Sequence, residues 1–500
     1  MEAGRAETAA AGNIAATAEP VAATAAAGDI ANANAGNDIA NANASSAIAN
    51  AGQSTDEAAE ELQRRIAAVA DIALKQARDS GASAAEVEVG QEQGMSVTVR
   101  NAAVETVEHN RDKGLSVTVY FGKRSGSART TDFAPDAIRR SVESACAIAK
   151  LTEEDDCNGL ADPVLLATEF PDLDLYHPWP LGMEEAMAIA ADCEAAALAF
   201  DPRISNTEGA TVASHQGVDL YANSNDFRGF HRSSRHSVSC QVIAGEGDAM
   251  QRDFWYDTAR DAADLAPPRA IGEEAGRRTV QRLGAQKART GEYPVLFHPT
   301  VARSILSHLV SAVSGGNLYR RASFLLDKAG AQLFPDNIRI HEQPHLRKSA
   351  GGAVFDGEGV RTAARDLVAG GVLRGYVLDS YAARKLNLQT TANAGGVHNL
   401  EIAPTTEHGL AEFIAGMERG LVVTELIGFG VNTVTGDYSR GAFGFWVEGG
   451  AIRHPVQEFT IAGNLSDMFQ RLTAAGADID HRANIRAGSI LIERMTVAGQ

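Results

Sequence analysis

Glycine-interrupted apolar segments run almost without a break through the last third of this sequence. They include SYAARKLNLQTTANAGGVHN (Ser380 to Asn399), GLVVTELIGFGVNTVTGDYSRGAFGFWVE (Gly420 to Glu448) and EFTIAGNLSDMF (Glu458 to Phe469). Because glycine adopts positive φ angles and lets backbones approach closely, this pattern predicts a β-rich region with tight turns. We expect this C-terminal domain to cover residues 291–500, starting at the apolar strand EYPVLFHP.

The first 55 residues differ from the rest of the chain. Ala, Asn, Gly and Thr dominate there, a short unit repeats in GDIANANAGNDIANANA (Gly28 to Ala44), and no aromatic residue occurs. Such a composition buries too little apolar surface to offset the entropy lost on ordering the chain. We therefore predict a disordered extension over residues 1–55.

An N-terminal α+β domain is predicted over residues 56–290. A helix capped by Ser54 or Thr55 and ended by Gly81 comes first. Alternating stretches follow and are typical of antiparallel strands with one wet face; they run from Ala85 to Gly90, from Ser96 to Asn110 and from Gly114 to Thr130. A helix from about Ala134 to Lys150 closes the unit, so helices should cover one face of an antiparallel sheet.

The middle of the chain again combines predicted helices with predicted antiparallel strands. A helix is predicted from Glu184 to Phe200, strands joined by Asn/Gly turns from Gly209 to Gly247, and a helical segment from Asp257 to Thr290 around Pro267-Pro268. After EYPVLFHP the pattern predicts a helix ended by Gly315-Gly316. The predicted fold class is α+β, with a glycine-rich, mostly β C-terminal domain.

Charge and hydropathy exclude several classes of function. A net charge of −19 repels polyanions, so direct binding of nucleic acid is not expected. No apolar run approaches the roughly 20 residues that span a bilayer, and the first residues do not resemble a signal peptide, so we expect a cytoplasmic protein without membrane contact. The four cysteines have no CxxC spacing and are expected to be reduced.

The segment HEQPH, from His341 to His345, matches the HExxH pattern of zinc peptidases. That pattern needs a helix, on which both imidazoles share a face, and Pro344 would interrupt such a helix. The flanking residues NIRIHEQPHL instead indicate a strand that leaves into a turn. We expect a structural or surface role for His341 and His345.

Two polar clusters near glycines are candidate substrate contacts. His398 and Asn399 follow a glycine pair and either line a cleft or form a turn that hydrogen-bonds its own backbone. Asp437, Tyr438 and Ser439 lie in GDYSRG, where we favour a structural turn over a serine nucleophile because the GxSxG context is absent. We predict substrate binding by these five residues and assign no catalytic residue.

The glycine-rich motifs of the last 150 residues closely resemble the PmbA/TldE branch of the TldD/PmbA peptidase family, also called peptidase U62 and modulator of DNA gyrase. The resemblance covers roughly residues 57–500. It implies a proteolytic family in which TldD-like chains carry zinc on an HExxxH helix after an EYPVLF-like strand, completed by a later cysteine.

At the matching helix this chain reads SILSHLVSAVSGGN, and His308 is its only candidate ligand. Leu309 stands where the general base would be, Val313 lies five residues after His308, and no cysteine follows Cys240. Hydrolytic zinc normally needs three protein ligands and an open position for water. We therefore expect no metal to be bound by this chain.

The resemblance implies a TldE-like subunit of a heteromeric metalloprotease that acts on small or unfolded peptides, with zinc in a TldD-like partner. Glycine-broken strands such as GLVVTELIG and FGFWVEGG would present an exposed edge to an extended peptide. Two alternatives stay open: a self-sufficient zinc peptidase that uses His308 with His298 or His341, and a regulatory protein that binds DNA gyrase. The sequence leaves homodimerisation open as well.

Overall fold

Three β-sheets organise residues 59–499, which are the part of the chain that the computed structural model describes. The first is an antiparallel sheet of six strands in the order β3-β2-β1-β4-β5-β6. Its strands are β1 (Ala84–Arg100), β2 (Ala103–Phe121), β3 (Arg124–Thr130), β4 (Ile204–Asn223), β5 (Arg228–Ala244) and β6 (Gln251–Ala259). The extension predicted for residues 1–55 lies outside the described residues.

Four helices cover one face of this sheet. They are α1 (59–79), α2 (Pro135–Leu151), α3 (Met183–Ala199) and α4 (Pro268–Gln281). The alternation in β1 explains the arrangement, because successive strand residues point to opposite faces. Val87 is buried against α1 and α2, and Val97 against α3 and α4, whereas Glu88 and Glu92 lie on the other face and are exposed. That second face, which we call the open face, carries no helix of this group.

The C-terminal half contains the other two sheets. The seven-stranded sheet has the order β16-β18-β8-β13-β14-β15-β7, and the five-stranded sheet has the order β11-β10-β9-β12-β17. The strands are β7 (Gln286–Lys287), β8 (Gly291–Phe297), β9 (Ile340–Glu342), β10 (Arg365–Ala369), β11 (Val372–Leu373), β12 (Leu400–Ile402), β13 (Arg419–Ile427), β14 (Asp437–Glu448), β15 (Ala451–Asn464), β16 (Leu472–Ala475), β17 (Ile485–Arg486) and β18 (Ile490–Ala498).

Short helices accompany these two sheets. They are α5 (Pro299–Ala312), α6 (Gly315–Tyr319), α7 (Ser380–Lys385), α8 (Leu410–Gly416) and α9 (Leu465–Gln470). The apolar face of α5 joins both sheets in one hydrophobic core, in which Ile305 and Leu306 are fully buried with Phe297 of β8 and Ile340 of β9. Among the helices described, none combines the length and apolarity that a membrane crossing requires.

The predicted α+β class is confirmed: an antiparallel sheet with covering helices is followed by a mostly β region. The predicted boundary between residues 290 and 291 stays a prediction. Several element boundaries were wrong. The stretch predicted as one strand from Ser96 to Asn110 is a hairpin, because Asn101 and Ala102 adopt positive φ angles of 52° and 58° and reverse the chain.

Two helix boundaries also differ from the prediction. The segment from Asp257 begins in β6 and becomes α-helical only at Pro268, whose fixed φ suits the first position of a helix. Gly315 starts α6 instead of ending α5, because α6 and α7 approach closely: a Cβ on Gly315 would lie 2.3 Å from the Cβ of Ala382.

The prediction of an exposed strand edge in GLVVTELIG and FGFWVEGG is wrong for most of both segments. β13 lies between β8 and β14, and β14 lies between β13 and β15. Their backbone groups are therefore largely taken by neighbouring strands. The pairing of β13 with β8 ends at Val423, and the residues after it pair with β14.

Candidate functional site

Helix α5 stands where the zinc motif of the resembling TldD branch would lie. It begins directly after β8, with Pro299 at its first position. The side chain of His298 caps it, since the Nδ1 atom lies 3.3 Å from the amide nitrogen of Thr300 and 2.8 Å from its hydroxyl oxygen. A capping side chain satisfies an amide that the helix itself leaves unpaired. The sequence thus places α5 at the end of the central strand β8.

His308, on the middle of α5, is a neutral and isolated imidazole. Its Nε2 atom is buried without a hydrogen-bond partner among the described residues, and its ring lies edge-on to Tyr438 at 5.8 Å between centroids. Burial and then the nearby Arg440 guanidinium lower the pKa of His308 to about 4. The Tyr438 hydroxyl is also buried without a partner in the described chain, and burial raises its pKa.

The donors around α5 do not fit a zinc ion. Leu309 and Val313 are fully buried apolar side chains at the positions where the TldD-like motif requires a base and a second imidazole. His298 precedes His308 by ten residues, which separates them by about 15 Å along a helix axis. Within residues 59–499, no group of three or more His, Cys, Asp or Glu side chains is arranged to hold a metal ion.

The HEQPH segment forms a strand and a turn, as the sequence predicted. His341 lies in β9, where its neighbours across the sheet are Asp366 of β10 and Glu401 of β12, so it does not meet His308. Its Nε2 atom is 3.9 Å from a Glu401 carboxylate oxygen. His345 lies beyond the strand, and its Nε2 atom is 3.0 Å from the Thr362 hydroxyl.

His398 and Asn399 belong to a buried polar cluster centred on Glu342. The Glu342 side chain accepts hydrogen bonds from Arg365 and Asn393, both at 2.8 Å, and from the His398 backbone amide. Asn399 is fully buried and adopts a positive φ of 50°. Its side chain donates to the Gln343 carbonyl and the Ser349 hydroxyl and accepts from the Gly351 amide. The structure therefore gives Asn399 a scaffolding role.

Asp437, Tyr438 and Ser439 lie at the start of β14, in the seven-stranded sheet. Ser439 pairs with Ala462 of β15, so it sits in a strand and not in the predicted turn. An Asp437 oxygen accepts from the Thr435 hydroxyl at 2.6 Å. His398 and Asn399 instead directly precede β12 of the five-stranded sheet, so the two predicted clusters lie at different sheets, and substrate binding by these five residues stays a prediction.

A cavity of the described chain lies elsewhere, on the open face of the six-stranded sheet. It encloses 880 Å³, and sequence reasoning missed it. Gly90 of β1 and Gly114 of β2, which are direct cross-strand partners, form its floor. The loop from Phe355 to Gly357 forms part of its wall.

Carboxylates surround this glycine floor, and strand register explains why. Asp219 of β4 pairs with Gly90, while Glu88 and Glu92 lie two residues to either side on the same face of β1. Asp112 of β2 pairs with Glu92. We call this site the acidic cavity. Lys113, Arg129 and His231 also line it.

The crowding of like charges changes the acidity of the cavity. Asp219 is in contact with solvent, yet surrounding protein, and then Glu92 and Glu88, raise its pKa to about 6. Burial and the neighbouring Glu86 raise the pKa of Glu88. Near neutral pH the site is therefore an anionic surface that would gain from a bound cation.

The wall of the acidic cavity adjoins the Glu342 cluster. Asp356 accepts hydrogen bonds from the backbone amides of Glu358, Val360 and Ala394, which fixes the loop. Asn393, the chain neighbour of Ala394, donates to Glu342 and so links this loop to the Glu342 cluster. The alternating acids of β1 were a usable signal, but their partner Asp219 lies more than a hundred residues away in the sequence.

Comparison with known proteins adds a family to this geometry. Family models described as PmbA/TldA metallopeptidase domain 1, central domain and C-terminal domain match residues 85–149, 176–283 and 290–499. The metalloprotease PmbA of Escherichia coli O157:H7 is 46% identical over 442 residues, covering 88% of this chain and 98% of its own.

Two solved structures share the fold. A Bacteroides thetaiotaomicron protein described as a modulator of DNA gyrase superposes with a TM-score of 0.82 at 29% identity, covering 86% of this chain and 98% of its own. TldE from Thermococcus kodakarensis superposes with a TM-score of 0.71 at 20% identity, covering 85% and 99%. These neighbours confirm the α+β architecture with its mostly β C-terminal region.

Proposed function

The chain belongs to the PmbA/TldD metallopeptidase family, and on that premise we propose that it is the substrate-holding subunit of a heteromeric metalloprotease. In this proposal a TldD-like partner binds the zinc ion, whose chemistry is to polarise the scissile carbonyl and activate water. This chain binds no zinc of its own. Its substrates are small or unfolded polypeptides, and the complex is cytoplasmic.

The observation that carries the proposal is the isolation of His308. A zinc peptidase needs an imidazole pair and a general base, and α5 supplies one imidazole beside Leu309. The adjacent Arg440 adds positive charge, which opposes a second cation. A helix of this kind supports the packing of the C-terminal core instead of hydrolysis.

The acidic cavity supports the substrate-holding part of the proposal. Its volume of 880 Å³ lies within the range of about 300–1,000 Å³ that is typical of ligand sites. The floor is open at Gly114, where a Cβ would meet no atom within 4 Å, which leaves room for an extended backbone beside the Asp219 carboxylate. The surrounding carboxylates favour lysine or arginine side chains. Unfolded polypeptides offer both features.

An exposed apolar loop supports the partner part of the proposal. Residues 428–436 connect β13 to β14, and Phe429 is 98% exposed. Ile427 and Val434 beside it are each 55% exposed. A group of apolar side chains left in solvent is typical of a protein–protein contact. We call these three side chains the apolar loop and assign them to the contact with the TldD-like subunit.

The experiment that tests the proposal is co-expression with a TldD-like chain from the same genome. Cleavage of an unstructured, lysine-containing peptide is measured for each chain alone and for the pair. The proposal requires cleavage by the pair, and it requires that His308→Leu in this chain leaves the rate of the pair unchanged. Cleavage by this chain alone that disappears in His308→Leu would support the self-sufficient peptidase instead.

The gyrase alternative has a separate outcome. The Bacteroides neighbour is described as a modulator of DNA gyrase, and that description belongs to that protein. A pulldown with gyrase in the absence of DNA would reveal direct protein contact. Retention of gyrase at stoichiometric level, together with no partner-dependent cleavage, would favour regulation over proteolysis.

A further inference from the structure

A second cavity on the open face has the opposite charge. It encloses 560 Å³ between the six-stranded sheet, the segment around Lys348 to Gly351, the segment His481 to Asn484, and Arg303 of α5. Four arginines line it: Arg235 of β5, Arg260 just after β6, Arg303, and Arg482. Such a concentration of guanidinium groups is unexpected in a chain whose net charge is −19.

None of Arg235, Arg260 and Arg303 forms an ion pair with a carboxylate of residues 59–499. The other cations of the cavity do have such partners: Lys348 contacts Asp261 at 2.8 Å and Asp264 at 2.9 Å, and Arg482 forms a two-pronged pair with Asp480. Both carboxylate oxygens of Asp480 already accept hydrogen bonds from Arg482. Arg235, Arg260 and Arg303 therefore have no carboxylate in ion-pair contact among the described residues, and the Arg303 charge acts on Asp480 only at longer range. We call this site the arginine cavity.

Arg260 is held rigidly. Its guanidinium donates to the carbonyl oxygens of Ser349 at 3.1 Å, Ser234 at 3.0 Å and Ala350 at 2.8 Å. Guanidinium has five N–H donors, so two remain for a ligand. Burial and then the nearby Arg235 lower the pKa of Arg260, so its charge carries a cost that comes first from lost hydration and second from the like charge. An anion in the cavity would remove that cost.

The two cavities lie in line along β5. His231 pairs with Asp219 in the acidic cavity, and Arg235 follows four residues later on the same face of the strand. Four residues of strand span about 13 Å. A short extended peptide is long enough to reach from the carboxylates of one cavity to the guanidinium groups of the other. The positively charged groups of such a peptide would bind the carboxylates of the acidic cavity, and its carboxylate would bind the guanidinium groups of the arginine cavity.

We propose that Arg235, Arg260 and Arg303 form a binding site for a carboxylate of the polypeptide substrate. Guanidinium groups suit this ligand because their planar N–H pairs match the two oxygens of a carboxylate. The carboxylate is either the C-terminus of the peptide or an acidic side chain, and the two sources share this chemistry. The assignment of a peptide as ligand rests on the proposed function.

The test uses the full chain alone and measures peptide binding by calorimetry. Three lysine-containing probes are compared: a peptide whose only carboxylate is its C-terminus, its C-terminal amide, and an amidated peptide with one internal glutamate. The double variant Arg235→Gln/Arg303→Gln removes two charges and keeps the Arg260 backbone contacts. Arg289→Gln, an exposed arginine outside the cavity, is the matched control.

A carboxylate-bearing probe should bind at least about tenfold more weakly to the double variant, since hydrogen bonds to a charged group contribute of that order. Arg289→Gln should bind it like the unmodified chain. Preference for the free C-terminus identifies the C-terminal carboxylate, and equal binding of the glutamate probe identifies the side chain. Unchanged binding in the double variant, or binding of inorganic phosphate but none of the peptides, overturns the proposal.

This outcome is separate from that of the proposed function. Carboxylate binding by the chain alone, with no partner-dependent cleavage, would contradict the proposed role as a protease subunit and would support the carboxylate site. The opposite result is partner-dependent cleavage with no effect of the double variant on cleavage or on peptide binding. It would contradict the carboxylate site and would support the proposed role as a protease subunit.

Discussion

Gly90 of β1 and Asp219 of β4 are direct cross-strand partners, and the Asp219 carboxylate occupies the space of a side chain at residue 90. A Cβ atom on Gly90 would lie 2.1 Å from the Oδ1 atom of Asp219. The acidic cavity thus depends on a missing side chain. The Asp219 carboxylate of β4 can lie above Gly90 of β1 because glycine has no side chain there.

Gly90→Ala should displace the Asp219 carboxylate and weaken binding of a lysine-rich peptide in the acidic cavity. The clash is with the end of a flexible side chain, so the fold should persist. Gly114→Ala is the matched control, because a Cβ there meets no atom within 4 Å. Fluorescence anisotropy with a labelled peptide measures both variants. Equal affinity of the two variants would show that the Asp219 position is unimportant.

Asp219 should make the protein less stable as pH rises. Its folded-state pKa of about 6 exceeds the ordinary value of 3.8, so the folded state binds the proton more tightly than the unfolded state. Stability from this group is therefore highest below pH 3.8 and falls until about pH 6. Asp219→Asn should raise the thermal midpoint at pH 7 and change it little at pH 4.

The control for this pH profile is Glu407→Gln, at an exposed residue outside the cavity. This variant should change the thermal midpoint at neither pH 7 nor pH 4. Thermal unfolding followed by circular dichroism at several pH values provides the measurement. A drop in the midpoint of Asp219→Asn at pH 7 would mean that the charged carboxylate stabilises the fold.

Glu342 should be among the residues most important for stability. It is 2% exposed and pairs with Arg365 at 2.8 Å. Removing one member of a buried pair leaves the other charge unpaired, so Glu342→Gln should lower the free energy of unfolding by about 3 kcal/mol. Arg339→Gln breaks the nearby exposed pair with Asp366 and should cost less than about 1 kcal/mol. Urea unfolding compares the two, and similar losses would contradict the role given to the Glu342 cluster.

Phe429→Ser should weaken association with a TldD-like partner. The ring is 98% exposed, and aromatic anchors at interfaces often contribute enough for a loss of about tenfold or more in affinity. Val164→Ser removes another apolar side chain, 82% exposed, outside the apolar loop. The affinity of the Val164→Ser variant for the partner should match that of the unmodified chain. Biolayer interferometry against immobilised partner would detect the difference, and equal affinities would remove the apolar loop from the interface.

The sequence predicted the parts of the fold that depend on local pattern. Helices α2 and α3 were placed within a residue or two, because their apolar spacing and turn signals lie within one segment. The hairpin at Asn101 and Ala102 was missed because alanine gives no signal for a positive φ angle. The edge-strand prediction failed because β13 pairs with β8, which lies more than a hundred residues earlier in the sequence.

The candidate site was less predictable for the same physical reason. The glycines beside His398 and Asp437 marked turns, since Gly395, Gly396 and Gly436 adopt positive φ angles, and substrate binding there stays a prediction. The acidic cavity requires Glu88, Gly90 and Gly114 to meet Asp219, and only strand register brings these residues together. The residues around His308 could be read from the sequence because Leu309 and Val313 lie close to it in the chain, and the expectation that this chain binds no metal stays a prediction.

The zinc content of the isolated chain tests the central claim most directly. Zinc is added, unbound metal is removed by dialysis, and the remainder is measured by mass spectrometry for this chain, for the TldD-like partner and for their complex. The account predicts stoichiometric zinc in the partner and in the complex, and only trace zinc in this chain. Stoichiometric zinc in this chain alone, lost in His308→Leu, would contradict it.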